Sequence, residues 1–433
     1  MRILFFLTLL VLSGCSFHPD RLWDLREIPQ DPRVLLDPVR SHEPLLSREG
    51  HRERYEDYRY LHFLPWHQKG PLHDRGEVLE SLNDYAAKVA GGQAKRRARL
   101  VRWVVAQGRL DQEVWPGRRA ITVRRADLCG IPLGAPGALS RGGSGRARLQ
   151  VSSVAPHTPL FVSRLTKDGR WALAEAPFAF GWMAVSDLAW VDEAFVRAWE
   201  GSGQIALVQD GVSVCTVKGR CVAASIGALF PLLSVGGDGS YEVAVAARAK
   251  GGRAVMERAM IEAEAAVPWP LPPTPWNLAQ VAVELLGTPY GWGGLGGRRD
   301  CSSTLRDLFT PFAVWLPRHS ADQALWGGRH RDVSGLGRKE KNALLLREAR
   351  PFATLLWMRG HVALYVGRWG EEAVVLHNFP GVWMGDANGV KKRAPVGLAA
   401  LTSLHHGLGV ERGAKAGRDL LDSLQGMTFL MEN

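Results

Sequence analysis

The sequence has no run of ~18 or more apolar residues, so no segment is long and apolar enough to span a bilayer as a helix. It has no solenoid-type repeat, which excludes stacked-repeat architectures. Cysteine is scarce, at five in 433 residues, and no pair shows zinc-ligand spacing. That excludes a zinc framework and a disulfide-dense scaffold. Acidic residues are fewer than basic ones, 43 against 54, for a formal net charge of +11. Such a surface suits anionic partners, cell-wall polymers among them, through long-range attraction. No nucleic-acid motif accompanies the charge, and no nucleic-acid partner is expected.

What is present is ordinary globular material: 46% hydrophobic and 22% charged residues, enough for two to four domains with cores of their own. The N-terminus stands apart. Arg2 precedes an apolar run from Ile3 to Leu12, then Ser13, Gly14 and Cys15. A positive start, a short apolar stretch and small residues before a break make a secretory signal. Leu12-Ser13-Gly14-Cys15 also resembles the lipobox of bacterial lipoproteins. The resemblance implies that residues 1–15 form the signal and that Cys15 carries the lipid, a membrane anchor stable because it holds two or more acyl chains. Ser16 stands where an Asp would favour inner-membrane retention, so the expected location is the periplasmic side of the outer membrane.

Residues 16 to about 50, rich in Pro, Arg and Asp, read as a tether and irregular lead-in. From Glu77 to about Val105 apolar residues recur at three- and four-residue steps, Val78, Leu82 and Val89 among them, around a Gly91-Gly92 break. Residues 20–115 are therefore expected to form a helical accessory domain. Short alternating runs follow, separated by turns such as Lys167-Asp168-Gly169, and predict two small β barrels over 118–200 and 201–265. The stretch from Asp168 through Trp171 and Trp182 to Trp190 resembles bacterial SH3-like domains. After the stiff segment Pro268–Pro273, Thr274 can cap a helix with Pro275 in its first turn, and Gly287 ends it. A domain over 274–433 is expected to begin there. The fold class is thus α+β and multidomain. Cys129 reads as core. Cys215 and Cys221 flank a Lys218-Gly219 turn and fit either a hairpin disulfide or two buried thiols.

Chemistry concentrates in the last domain. Tyr290-Gly291-Trp292-Gly293-Gly294 precedes Asp300-Cys301-Ser302-Ser303. Leu305, Leu308 and Phe309 have helical spacing, which puts Cys301 on a first helical turn. The helix dipole favours thiolate there. A thiolate nucleophile needs a base and a group to orient that base. Gly360–Gly367 and Ala373–Phe379 read as strands joined by a loop from Gly367 to Glu371. Pairing Val366 with Glu372 sets His361 directly opposite His377, close enough for one imidazole to orient the other. His319, His330, His405 and His406 have no motif around them and read as surface.

Tyr290 with Trp292, Asp300-Cys301-Ser302, Leu316-Pro317-Arg318, Gly360-His361-Val362 and His377 together resemble the NlpC/p60 family of papain-like cysteine peptidases. The match is good over 275–380 and loose beyond. A helical domain, two SH3-like barrels and a C-terminal peptidase resemble a subgroup that cleaves the γ-D-glutamyl–diamino-acid bond of peptidoglycan stem peptides. The resemblance implies Cys301 as nucleophile, His361 as base and His377 as the orienting residue. It implies Tyr290 near the oxyanion, and Asp300, Ser302 and Ser320 as substrate contacts. His319 departs from the Asp expected between Arg318 and Ser320. No metal or cofactor is implied, and a monomer is expected. A cell-wall-binding lipoprotein, and an amidase of the same fold acting on another amide bond, remain as alternatives.

Overall fold

In the computed structural model the described residues are 24–113, 115–136, 138, 145–385, 391–405 and 419–432. Cys15 and His406 lie outside them.

The lead-in is more ordered than its composition suggests. A short helix, Asp24–Glu27, precedes a 20-residue helix, Arg48–His67, whose first turn is capped by Ser47 accepting from the Gly50 N–H. Its inward face is aromatic (Tyr58, Phe63, Trp66), and Arg and Glu crowd its first three turns, so its helical period is weak in the sequence. Two further helices follow, Arg75–Ala90 and Ala94–Gly108. Asp74 and Glu77 form a reciprocal capping box, and left-handed Gly91 closes the first of the pair. Leu82, Ala86, Leu100 and Val104 pack into one cluster with Trp182 of the next domain.

The first barrel is a seven-stranded antiparallel sheet running from Arg118–Thr122 to Leu188–Trp190. The second has five antiparallel strands, from Gln204–Leu207 to Ala266–Pro268. A separate hairpin, Val212–Cys215 with Cys221–Ala224, packs its Val214 and Val222 into the same core. Cys215 faces Cys221 in that hairpin and the two form a disulfide, which resolves the open pairing. Cys129 is a buried free thiol.

The C-terminal domain is built on a six-stranded antiparallel sheet. Its strand order is Arg329–Asp332, Leu424–Phe429, Thr354–Met358, His361–Trp369, Glu372–Gly385 and Lys391–Ser403. The helix Pro275–Leu285 begins as its sequence predicts, with Thr274 accepting from the Asn277 N–H and Pro275 in the first turn. This helix and Cys301–Phe309 lie on one sheet face, where Leu278, Leu285, Leu305 and Leu308 meet Leu355, Val362, Leu364 and Leu376. Each such side chain contributes ~1.5–3 kcal/mol on burial. Ile28, Leu45 and Leu46 join the same core, so the lead-in is part of this body. Gln30 exchanges two hydrogen bonds with the backbone of Leu401, at 2.9 Å each, and so occupies the outer edge strand. Asp24 accepts from the Ser403 N–H at 2.8 Å and from its hydroxyl at 3.0 Å.

Candidate active site

Cys301 is the first residue of the helix Cys301–Phe309, as its spacing predicts. Asp300 is the N-cap. Its carboxylate accepts from the Ser303 N–H at 3.0 Å, while the Ser303 hydroxyl accepts from the Asp300 N–H at 2.9 Å. Arg318 grips the same carboxylate, with Nη2 2.6 Å from Oδ2 and Nη1 3.2 Å from Oδ1. Nη1 also donates to the Ser302 hydroxyl at 2.9 Å, and Nε donates to Ser152 of the first barrel at 2.8 Å. Burial alone would raise the Asp300 carboxyl. The charge and hydrogen bonds of Arg318, aided by Ser303, overcome that and hold it at about 2.

Burial pushes the Cys301 thiol up to about 11, and the adjacent Asp300 charge acts in the same direction. The N–H groups of Val362 and Ser302 and the charge of Arg318 oppose the rise without cancelling it. The expectation that the helix start would itself favour thiolate is therefore corrected. Desolvation and the charge of the capping carboxylate hold the thiol protonated, and forming the thiolate requires a base that takes the proton.

His361 opens its strand, beside Val362, whose N–H reaches the Cys301 sulfur. His361 Nε2 is 2.8 Å from His377 Nδ1. The predicted hairpin register is corrected, however. Trp369 pairs with Glu372 across a loop of Gly370 and Glu371, and Val366 is bulged, so Leu364 pairs with Leu376. Continuing that register puts His377 opposite Ala363, two residues from His361. A shift of two preserves the sheet face, so the imidazoles meet diagonally. On its other side, His377 Nε2 is 3.0 Å from the hydroxyl of Thr402 on the edge strand. Nothing in the sequence marks Thr402, because its role depends on a strand register that local pattern does not set.

These residues open onto a cavity of about 1490 Å³ with walls from three domains. Tyr85 and Lys88 come from the helical domain, Ala147, Arg148, Gln150 and Val151 from the first barrel, and the rest from the C-terminal domain. Tyr290, Asp300, Ser302 and Ser320 all line it. Asp300 and Ser302 are buried and already engaged by Arg318, which makes them supports of the helix start as well as wall. His319, read as surface, also lines the cavity, and burial beside Arg318 lowers its pKa. His319 is exposed there, as read from the sequence, whereas the surface reading is corrected for His330, which bonds the Thr428 hydroxyl at 3.1 Å and is half-buried. His405 is half-buried and lies 3.1 Å from the Glu372 carboxylate. Among the described residues no group of three His, Cys, Asp or Glu side chains is placed to hold a metal. No described helix is long and apolar enough to cross a membrane.

Residues 287–382 match the model of the NlpC/P60 family. Residues 146–184 match an SH3 domain of the SH3b1 type, and 3–103 match an N-terminal NLPC_P60 stabilising domain. No curated protein matches the chain. Among solved structures, the chain is similar to an NlpC/P60 endopeptidase from Photobacterium damselae subsp. piscicida, at 21% identity and a TM-score of 0.78 over 94% of this chain and 98% of that one. An NlpC/P60 family protein from Bacillus cereus is similar at 15% identity and a TM-score of 0.49, over 72% of this chain and 100% of that one.

Proposed function

We propose that this chain, which belongs to the NlpC/P60 family and carries an SH3-like domain, is a cysteine endopeptidase that cuts peptidoglycan stem peptides at the γ-D-glutamyl–diamino-acid bond. The observation that carries the reading is the grouping of Cys301, His361 and His377 on one cavity, with the two imidazoles 2.8 Å apart.

In this reading His361 takes the Cys301 proton as the sulfur attacks the γ-carbonyl. The oxyanion forms near the Cys301 N–H, which is free of intrahelical partners at a helix start, and near Tyr290. His361 then protonates the leaving amine, giving an acyl-enzyme, and activates the water that releases it. Lys88, Arg148 and Arg359 line the cavity, and Asp300, the acid among its described lining residues, is neutralised by Arg318. That charge balance suits a substrate rich in carboxylates, as stem peptides are. Ser320 is placed to contact it. Lipid on Cys15 would hold the enzyme on the periplasmic face of the outer membrane.

The test is digestion of purified stem tri- and tetrapeptides, with products identified by mass. The wild-type chain is expected to release the L-Ala-D-Glu dipeptide in the presence of EDTA, and Cys301→Ala to release none. Undiminished cleavage by Cys301→Ala, or cleavage at another bond, would overturn the reading.

A further inference from the structure

We propose that Thr402 is a positioning residue that fixes the tautomer of His377 and, through it, the nitrogen on which His361 accepts a proton. The proposal rests on the reading of Cys301 and His361 given above. The Thr402 hydroxyl has one proton and donates it to the Ser403 carbonyl at 3.0 Å. Toward His377 Nε2, also 3.0 Å away, the oxygen can then only accept. Nε2 of His377 therefore carries the ring proton. A neutral imidazole protonated at Nε2 has a lone pair on Nδ1, and that lone pair faces His361 Nε2 at 2.8 Å. His361 donates from Nε2, so its own lone pair is on Nδ1. The proton leaving Cys301 Sγ goes to Nδ1, and the imidazolium formed keeps its Nε2–H bond to His377.

Burial gives this chain its directionality. Thr402 and His377 are each 1% exposed, so water cannot substitute for a missing acceptor. The residue whose carbonyl accepts from Thr402 is held on its other side, because the N–H and hydroxyl of Ser403 both donate to Asp24. Removing the Thr402 oxygen takes away this acceptor and shifts His377 toward the tautomer that carries its proton on Nδ1. His361 Nε2 must then accept, its proton sits on Nδ1, and it can no longer receive the thiol proton there.

Two measurements on the full chain test this. Nitrogen-15 histidine spectra of Cys301→Ala should show His377 protonated at Nε2; protonation at Nδ1 would overturn the proposal. Profiles of kcat/KM against pH should separate two Thr402 variants. Thr402→Ser keeps the hydroxyl and is expected to stay within about threefold of wild type with both limbs in place. Thr402→Val is expected to lose about 10²-fold, inside the range of a lost general base, with the bell narrowed on both sides. Among the described residues, the other titratable and charged groups on the cavity are Tyr85, Tyr290, Cys301, Asp300, Arg318, His319, Lys88, Arg148 and Arg359, with Asp24 behind Ser403, and neither variant changes them. Movement of the limbs thus reports the histidine pair. A wild-type profile for Thr402→Val, or a loss of amplitude with unmoved limbs, would refute the positioning role, and the spectra decide if that variant does not fold. Failure of the wild type to cut any stem peptide would instead sink the functional reading, and the spectra would still judge Thr402.

Discussion

The two small β domains are built from similar short strands and touch the C-terminal domain in different ways. The first meets it through backbone and the ion pair of the nucleophile helix. Gln150 Nε2 is 3.4 Å from the Gly293 carbonyl, and Arg318 ties Ser152 to the Asp300 cap. Gly293 and Gly294 adopt positive φ, and a Cβ on either would lie 2.7 or 2.6 Å from Gln150 or Ser153. The second domain adds nothing to the cavity lining among the described residues. It docks through Asp210, whose carboxylate pairs with Arg299, itself held by Asp307 at 2.7 Å. A barrel in contact with the glycine loop can shape a substrate site, whereas one held on the flank of the nucleophile helix acts as a brace.

That contrast can be broken at its strongest point first. Asp210→Asn leaves Arg299, 5% exposed, with Asp307 as its one remaining carboxylate partner among the described residues, and removing one partner of a buried pair costs about 3 kcal/mol. The denaturant midpoint should fall accordingly while kcat/KM stays within about threefold. A large loss of activity without loss of stability would make the second barrel part of the site. Gly294→Ala should do the reverse. The added methyl wedges the first barrel away from the loop, and a displacement near 1 Å at a site can cost ~10²-fold in kcat/KM. Unchanged turnover with only weakened folding would mean that the first barrel is also a brace.

Acid sharpens the difference with a smaller effect. The Asp300 carboxyl ordinarily titrates at 3.8 and is held at about 2 in the fold. As pH falls, the unfolded chain takes up the proton first, so the contribution is present above about 4 and is lost on the way to 2. A shift of this size corresponds to about 2 kcal/mol. Wild type should lose that increment over this pH window relative to Asp300→Asn, measured by urea unfolding. Parallel curves for the two proteins would show that the Asp300–Arg318 pair does not stabilise the fold.

Much of this arrangement could be read locally. Thr274-Pro275 and the Asp74–Glu77 pair are end signals set by residues within one helical turn, and both helices start where those signals lie. Cys301 and His361 sit in short motifs with their own mechanics. The histidine face survived a wrong register because the error was two residues, and side-chain direction along a strand repeats every two. The bulge at Val366 was not legible, since it costs one residue and leaves the hydrophobic alternation readable either way. Asp300 was expected at the substrate; its cap role is local to Ser303, whereas its ion-pair role depends on Arg318, eighteen residues further along the chain. Thr402 and Asp24 were invisible for the same reason at greater range, for Asp24 and its partner Ser403 are 379 residues apart.

The clasp between Asp24 and the edge strand also sets a leash length. In the proposed lipid-anchored form, the chain leaves the bilayer at Cys15 and is fastened to the C-terminal domain by residue 24. Fully stretched, the segment between them spans roughly 30 Å, at about 3.3–3.6 Å per residue. The enzyme would then work as a short-range tool, harvesting the layer of wall nearest its own membrane, and wall beyond that radius would have to come to it.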